Sequence, residues 1–306
     1  MKRILVSGNV NLETNVWIDR FPLEYQPVRY RQFGILTDVG GVAYNVSKAL
    51  STLGDDVSLV AMLGPDMEGE QIKDTLKKSG VRTSLVKESL FASPKSVILH
   101  DEEGKRAIFT DTKNLQTTLY DFDTVDLYGL DLIVACNVNF NRQLLCKAHD
   151  AGIPIATDVH VLSNPYDDYN EAFMRYANII FLSDEGISGN KNYFIETLRL
   201  IYPAEIIVMG MGKHGALIYI REDDAIYHLS AVYNDNVVNT IGAGDALFSS
   251  FLHFYTNEYE PIEALKRAQI FASHKISYNG ASKGFLSEEE LEELSEDTVI
   301  TVTKCE

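Results

Sequence analysis

Short apolar segments alternate with amphipathic segments along most of this chain, and this alternation constrains its fold more than any other feature. The apolar segments have the length and composition of buried strands, and they lie at 3–10, 57–63, 131–138, 154–159, 178–183 and 205–210. Segments with the apolar spacing of helices lie between them, at 43–54, 69–80, 141–152 and 192–202. This order predicts an α/β fold with a doubly wound, mainly parallel sheet that is flanked by helices on both faces.

Two segments, 13–36 and 93–111, break this alternation because they are rich in aromatic and alternating residues. The second predicts a hairpin with its turn near Glu103–Gly104. Together the two segments predict a small β-sheet lid on the α/β core, and a plain surface insertion is the alternative. We find no internal repeat, low-complexity tract or linker, so residues 1–306 are expected to form a single domain.

Composition limits the possible partners and the cellular compartment. With 306 residues, of which 45% are hydrophobic, the chain can bury a large core. The formal net charge of −17 argues against nucleic acid and anionic membrane as partners, because both attract basic surfaces. No apolar run reaches the roughly 18 residues of a transmembrane helix. The first residues do not resemble a signal peptide and the three cysteines show no metal-ligand spacing, so we expect a reduced, cytoplasmic protein.

Very small residues stand directly in front of a predicted helix in the last quarter of the chain. Gly242, Ala243 and Gly244 have almost no side chain, and helical apolar spacing begins at Ala246. Backbone amides at such a helix N-terminus lack helical partners, and the helix dipole favours an anion there. The Asp245 carboxylate would repel that anion, so the pattern suits a site that holds both a phosphate and a base.

Glycine patterns near the N-terminus add specificity to this motif. Gly40–Gly41 precedes a predicted helix whose first turn carries Asn45, and a strand ends in the glycine turn of 63–69. Taken with residues 239–250, in this order and spacing, the chain resembles the ribokinase-like (PfkB) family of carbohydrate and nucleoside kinases over essentially its whole length. The residues that fall on the spacing of the family's first signature are Gly40, Gly41, Ala43, Asn45, Ser47, Gly54 and Gly64.

The resemblance implies a doubly wound α/β sandwich with a β-sheet lid. It also implies transfer of the γ-phosphoryl group from ATP, with Mg²⁺, to a primary hydroxyl of a sugar or nucleoside. Asp245 is then the base that accepts the hydroxyl proton, and the amides of Gly242, Ala243 and Gly244 form the anion hole for the γ-phosphate. Such roles suit phosphoryl transfer, which depends on positioning and charge stabilisation.

The acceptor contacts that the resemblance implies are Asn11, Glu13, Gly41, Asn45, Asn137 and Asn139. Side-chain amides both donate and accept hydrogen bonds, which suits vicinal hydroxyls. Glu13 stands where many relatives carry an aspartate, and its extra methylene moves the acceptor oxygen, so the choice of sugar stays open. Asn137 and Asn139 are explained equally well as polar residues at the end of a strand.

The nucleotide contacts that the resemblance implies are Ser183, Gly210, Gly212, Gly215, Thr240, Ala272 and Asn279. Gly212 and Gly215 belong to the Gly-Met-Gly-Lys-His-Gly-Ala turn of 210–216, which looks like the family's nucleotide-side glycine loop. A plain tight turn is the alternative for these two glycines.

The chain departs from the family pattern at two functional positions. The usual Asn-x-x-Glu is absent, and residues 183–186 read Ser-Asp-Glu-Gly in its place. Asp184 or Glu185 could still organise magnesium through water, which is how magnesium commonly binds. Asn239 replaces the common aspartate that helps to hold a monovalent cation in some relatives, which puts potassium activation in doubt.

Three other functions compete with a sugar kinase. A nucleoside kinase of the same family would use aromatic lid residues to stack on a base, and these are Trp17, Phe21, Tyr25 and Phe33. We favour instead a hydrophobic seam where two lids pair in a homodimer. A non-catalytic relative that senses a sugar or nucleotide would explain the altered 183–186 segment. A dinucleotide dehydrogenase is excluded because residues 8–13 lack the Gly-x-Gly-x-x-Gly spacing.

Overall fold

The computed structural model describes residues 1–102 and 104–305. Its strands, in chain order, are β1 (Arg3–Ser7), β2 (Asn11–Trp17), β3 (Ile35–Gly40), β4 (Asp56–Leu63), β5 (Val86–Glu88), β6 (Lys95–His100), β7 (Arg106–Asp111), β8 (Leu132–Ala135), β9 (Ile155–Val161), β10 (Ile179–Ser183), β11 (Ile206–Gly210), β12 (Ala216–Ile220), β13 (Ala225–Leu229) and β14 (Val302–Lys304). Its α-helices are α1 (Val42–Thr52), α2 (Met67–Leu76), α3 (Asn141–Asp150), α4 (Glu171–Tyr176), α5 (Lys191–Ile201), α6 (Ala243–Thr256), α7 (Pro261–Lys275) and α8 (Glu288–Asp297). No helix among the described residues is both long enough and apolar enough to cross a membrane.

A ten-stranded sheet forms the core, in the order β14-β13-β12-β11-β10-β9-β8-β1-β4-β5. The strands from β5 to β11 in this order run parallel, which confirms the predicted α/β class. All six predicted strands lie in this parallel part. The antiparallel extension by β12, β13 and β14 was not predicted.

Helices cover both faces of this sheet because successive strand side chains point to opposite faces. Ile4 and Val6 of β1 pack into a cluster with residues of α1, α6 and α7. Leu5, between them in sequence, packs on the other side with residues of α3. Strands that are buried on both faces have continuous apolar sequences, which explains why they could be recognised without alternation.

The two irregular segments contribute to a separate four-stranded sheet, in the order β3-β2-β6-β7. β2 pairs antiparallel with β3 and parallel with β6, and β6 and β7 form an antiparallel hairpin. Residues 18–34 form a loop, so the first predicted segment is strand only at its ends. Of the predicted turn, Glu103 lies outside the described residues. That this sheet closes as a lid remains a prediction.

The two faces of this small sheet differ in character. Asn11, Asn15 and Ile98 lie on one face by strand register and are buried. Val97 and Phe109 lie opposite each other on the other face and are exposed by 40% and 63%. The buried face therefore carries the asparagines, and apolar side chains face solvent on the other face.

Candidate active site

The N-terminus of α6 is an open turn that requires glycine at its first position. Gly242 caps the helix with φ 78°, and a Cβ atom there would lie 2.4 Å from the Ala281 carbonyl oxygen. A Cβ atom on Gly244 would meet no protein atom within 4 Å. The amide of Ala243 already donates to the Thr240 carbonyl at 3.2 Å, so its predicted anion-hole role would require sharing that bond. Gly244 therefore faces the open space of this turn.

Asp245 lies one residue further on, and Asn45 of α1 holds its carboxylate. The Asn45 Nδ2 donates to Asp245 Oδ2 at 2.7 Å. Burial raises the pKa of Asp245, while the Asn45 hydrogen bond and the charges of His160 and Lys275 act in the opposite direction. These three side chains favour the ionised form of Asp245, while burial and the nearby Asp158 charge raise its pKa above the ordinary value.

Glu13 of β2 brings a second carboxyl group to the same place. Its Oε1 accepts a hydrogen bond from the Gly41 backbone amide at 3.2 Å. Burial and the neighbouring Asp245 charge raise the pKa of Glu13 to about 7, although the Gly41 amide opposes them. Gly41 has φ 92°, and a Cβ atom there would lie 2.6 Å from the Asn9 carbonyl oxygen. Glycine is therefore required where the small sheet meets α1.

Two buried amide oxygens beside these carboxyl groups lack a protein partner. The Asn11 Nδ2 donates to Ser96 Oγ at 2.9 Å. Across the part of the chain that the structure describes, the Asn11 Oδ1 and Asn45 Oδ1 atoms are buried without a hydrogen-bond partner. Buried polar atoms are usually satisfied, so these two acceptors suit a ligand that donates hydrogen bonds.

Lys275, the last residue of α7, is a member of this site that sequence reasoning missed. Its side chain is fully buried, and its Nζ donates to the Ile241 carbonyl oxygen. Burial lowers the pKa of Lys275 to about 8, against the opposing attraction of Asp245 and Glu13. The sequence did carry a signal, because Lys275 continues the buried stripe of Ala264, Ala268 and Phe271 at helical spacing.

His160 is a second residue that sequence reasoning missed. It stands in β9 with φ 57°, and its Nδ1 lies 3.4 Å from Asp158 Oδ2. Burial opposes the charged ring, but the charges of Asp158 and Asp245 outweigh it and raise the pKa of His160 to about 9. This left-handed backbone conformation is uncommon for residues other than glycine, and the sequence gives no sign of it.

The predicted nucleotide side lies at the carboxyl ends of β10 and β11. Ser183 and Gly210 are partners in the parallel register, and the Asp184 amide donates to the Gly210 carbonyl at 3.0 Å. After β11, Gly212 begins a short 3-10 helix, and Gly215 ends it with φ 88°. A Cβ atom on Gly215 would lie 1.9 Å from the Leu229 carbonyl oxygen, so the turn itself explains that glycine. Nucleotide contact by this loop remains a prediction.

The comparison with known families shows which family this fold belongs to. A model of the pfkB family of carbohydrate kinases matches residues 1–288. The chain belongs to the PfkB family. It is therefore a carbohydrate kinase by family, and its members' activity is ATP-dependent phosphoryl transfer to a small molecule.

Individual relatives of this PfkB-family chain are distant. It is 24% identical to a fructosamine kinase of Bacillus subtilis, over 79% of this chain and 85% of that protein. It is also 24% identical to a deoxyribokinase of Salmonella typhi, over 95% of this chain and 97% of that protein. The solved structure of a microbiome-derived acarbose kinase shares its fold with a TM-score of 0.85 at 23% identity, covering 96% of this chain and 99% of that one.

The carboxylates expected to act on magnesium in this PfkB-family chain both have basic partners. Asp184 forms an ion pair with Lys191, and Glu185 lies 3.5 Å from Arg106. Within residues 1–102 and 104–305, no group of three or more His, Cys, Asp or Glu side chains could hold a metal ion. Magnesium usually keeps several waters and binds one or two carboxylates plus substrate phosphates. That Asp184 and Glu185 contact a magnesium ion through water remains a prediction.

The remaining residues predicted to contact the nucleotide lie near the end of α7 and in the loop before α6. Asn279 accepts a hydrogen bond from Asn239 Nδ2 at 2.7 Å, and Asn239 Oδ1 accepts one from the Ile241 amide at 3.1 Å. The Asn239 side chain therefore links the segment before α6 to the segment that follows α7. Thr240 lies beside it, and Ala272 stands on α7 one turn before Lys275. The structure therefore brings Asn279 against the loop that carries Thr240 and Gly242.

Asn137 and Asn139 have partners in a different part of the fold. The Asn137 Nδ2 donates to Asn170 Oδ1 at 3.0 Å. The Asn139 Nδ2 donates to the Gln116 carbonyl at 3.1 Å. Neither of these bonds connects them to Asp245, so their predicted contact with the acceptor stays a prediction.

Proposed function

We propose that this PfkB-family protein transfers the γ-phosphoryl group of ATP to a primary hydroxyl of a sugar, with Asp245 as the base. One observation carries the proposal. Asp245 lies in the first turn of α6 beside the open side of Gly244, and it accepts a hydrogen bond from Asn45. A hydroxyl group and a phosphate can therefore be held within reach of one carboxylate.

The donor and acceptor pattern of the site supports a polyol as the acceptor. The unpartnered Asn11 Oδ1 and Asn45 Oδ1 can accept hydrogen bonds from two hydroxyl groups. The Glu13 carboxyl group stands beside them, and its free oxygen is a further acceptor. We therefore infer that the acceptor of the phosphoryl group is a neutral sugar and not an apolar molecule.

The chain's own groups would perform distinct parts of the reaction. The acceptor hydroxyl loses its proton to an Asp245 oxygen as its own oxygen bonds to phosphorus and the bond to ADP breaks. The amides of Gly242, Ala243 and Gly244 would stabilise the charge on the transferred phosphoryl group. Magnesium, when bound with ATP, neutralises phosphate charge, and Asp184 and Glu185 would contact it through water. The small sheet would exclude water that otherwise hydrolyses ATP.

The test is release of ADP from Mg-ATP with a panel of ketoses, aldopentoses, sugar phosphates and nucleosides. One acceptor should stimulate the wild type, and Asp245→Asn should lose this stimulation by a factor of about 100 or more. Asp74→Asn, on the exposed surface of α2, is the matched control and should keep wild-type turnover. Full turnover of Asp245→Asn would show that another group is the base.

A nucleoside acceptor is the second candidate because the 18–34 loop exposes large aromatic side chains. Tyr25 and Phe33 are each exposed by 92% and could stack on a base. Trp17 is already covered by Arg31, whose guanidinium lies 4.6 Å from the ring centre. A thermal-shift screen separates the two candidates, because the true acceptor stabilises the folded state. Shifts with nucleosides alone would favour this second candidate.

We also propose a homodimer in which two small sheets pair through their apolar faces. Ile35, Val97 and Phe109 lie on the solvent-facing side, and Ile35 and Phe109 are exposed by 67% and 63%. Contiguous exposed apolar surface commonly marks an interaction site. Sedimentation of the wild type should give a dimer, and Phe109→Lys should give a monomer. A monomeric wild type would exclude this arrangement.

A further inference from the structure

Lys275 is a fully buried ammonium group whose direct partner is a backbone carbonyl. A buried charge without an adjacent opposite charge is costly to keep inside a protein. The Lys275 Nζ donates to the Ile241 carbonyl, while the carboxylates of Asp245 and Glu13 attract it from a distance. Such a costly arrangement in contact with the active-site turn points to a role in function.

The segment before the α6 turn is anchored to the end of α7 by several bonds. The amides of Val238 and Asn239 both donate to the Ile276 carbonyl, at 2.9 and 3.2 Å. The Asn239 side chain is bonded to Asn279. Lys275 adds a charged bond to Ile241, the residue that directly precedes Gly242. The end of α7 therefore determines how the chain enters the turn.

The geometry of the peptide bond links this contact to the anion site. The Ile241 carbonyl and the Gly242 amide belong to one planar trans peptide unit, so they point in opposite directions. When Lys275 holds the carbonyl on its side, the Gly242 N–H is directed away from α7. The ammonium group also polarises this peptide unit, which strengthens the amide as a donor.

We propose that Lys275 is a built-in cation of the phosphoryl-transfer site, a positioning residue that orients the Gly242 amide through the Ile241 carbonyl. This inference rests on the function proposed above. It also gives a physical reason for the doubt about potassium activation, because the ammonium group supplies the positive charge at this loop. The charged groups that act on Asp245 are Asp158, His160 and Lys275. Asp245 and Lys275 also act on the carboxyl group of Glu13.

The first test uses the wild-type enzyme with its best acceptor. Activity is measured with potassium, sodium or tetramethylammonium as the sole monovalent cation. We expect rates within about twofold of one another, because no free cation is needed. A strict requirement for potassium or sodium overturns the inference and leaves the proposed function intact. Absence of phosphoryl transfer in every salt would instead count against the proposed function.

Variants test the role of the charge directly. Lys275→Met should lower kcat by about tenfold or more, because a preorganised donor is misaligned. The acid limb of its kcat–pH profile should move to higher pH, since the loss of a nearby cation raises the pKa of Asp245. Potassium or ammonium should partly restore kcat in Lys275→Ala and leave the wild type unaffected. Lys266→Met, an exchange on the same helix at an ion pair with Glu263, is the matched control.

The outcomes separate a functional from a structural role. A folded Lys275→Met with wild-type kcat and an unchanged pH profile overturns the inference. If Lys275→Met does not fold, the salt comparison on the wild type still decides it. A folded Lys275→Ala that loses activity and is not restored by any small cation also counts against a charge role.

Discussion

The Asn45 side chain donates a hydrogen bond to the Asp245 carboxylate at 2.7 Å across 200 residues of sequence. Asn45 lies in the first turn of α1 and Asp245 in the first turn of α6, so the bond joins two helix N-termini. Gly41, which directly follows β3 of the small sheet, caps the N-terminus of α1, and α6 begins at the glycine turn. The contact therefore couples the proposed acceptor side of the site to its phosphate side.

Loss of this contact should change both the acceptor affinity and the pH dependence. Asn45→Ala removes a donor to Asp245, so the pKa of Asp245 should rise and the acid limb of kcat/KM should move to higher pH. The expected loss of kcat/KM is about 10- to 100-fold, typical of a hydrogen bond to a charged group. A pH–rate profile measures both effects. Asn192→Ala in α5 is the control, and an unmoved acid limb in Asn45→Ala would argue against the coupling.

The two glycines of the α6 turn should respond differently to alanine. Gly242→Ala places a Cβ atom 2.4 Å from the Ala281 carbonyl at φ 78°, so the variant should lose stability and activity together. Gly244→Ala meets no protein atom within 4 Å, so it should fold with wild-type stability. If that open space holds the phosphate, ATP should raise the melting temperature of Gly244→Ala less than that of the wild type. Equal ATP shifts would place the phosphate elsewhere.

Glu13 should make the stability of the protein depend on pH. Its folded pKa of about 7 lies above the ordinary glutamate value of 4.5, so its contribution is fully present below about pH 4.5 and is lost as pH rises through 7. Glu13→Gln cannot ionise and retains an oxygen for the Gly41 amide. Its unfolding free energy should match the wild type near pH 4.5 and exceed it by roughly 3 kcal/mol at pH 8.

Urea unfolding at both pH values measures this difference. Glu289→Gln, on the exposed α8 helix, is the control and should show no such pH dependence. A constant difference between Glu13→Gln and the wild type would mean that the Glu13 pKa is not raised by folding.

Lys275 should have the opposite dependence on pH. Its folded pKa of about 8 lies below the ordinary lysine value of 10.5, so its contribution is present above about pH 10.5 and is lost as pH falls through 8. Raising the pH from 7 to 10 should therefore stabilise the wild type relative to Lys275→Met by roughly 3 kcal/mol. At pH 7 the variant should be at least comparably stable, although the Ile241 carbonyl loses its donor at a cost of about 1 to 3 kcal/mol.

Chemical denaturation of both proteins across this pH range provides the measurement. A variant that is comparably stable but less active at pH 7 would show that the charge serves function at the expense of stability. A pH-independent difference would show that folding does not lower the pKa of Lys275.

Local sequence was sufficient for the elements whose cause is local. The parallel strands were predictable because burial on both faces requires continuous apolar residues, as in 178–183 and 205–210. β12 to β14 were missed because they extend the edge of the sheet by antiparallel pairing, which depends on what already stands beside them. The 18–34 loop was assigned to the small sheet because composition does not reveal where a strand ends.

The sequence by itself determined the α/β class, the glycine turn before α6 and the residues that resemble the PfkB family, because backbone conformation and apolar spacing are local properties. Tertiary structure alone decided that Asn45 contacts Asp245, that Glu13 stands beside Asp245, and that Lys275 is buried against Ile241. Electrostatic shifts depend on burial and on charges that are distant in sequence. The site is therefore chemically defined only when the two ends of the chain are packed together.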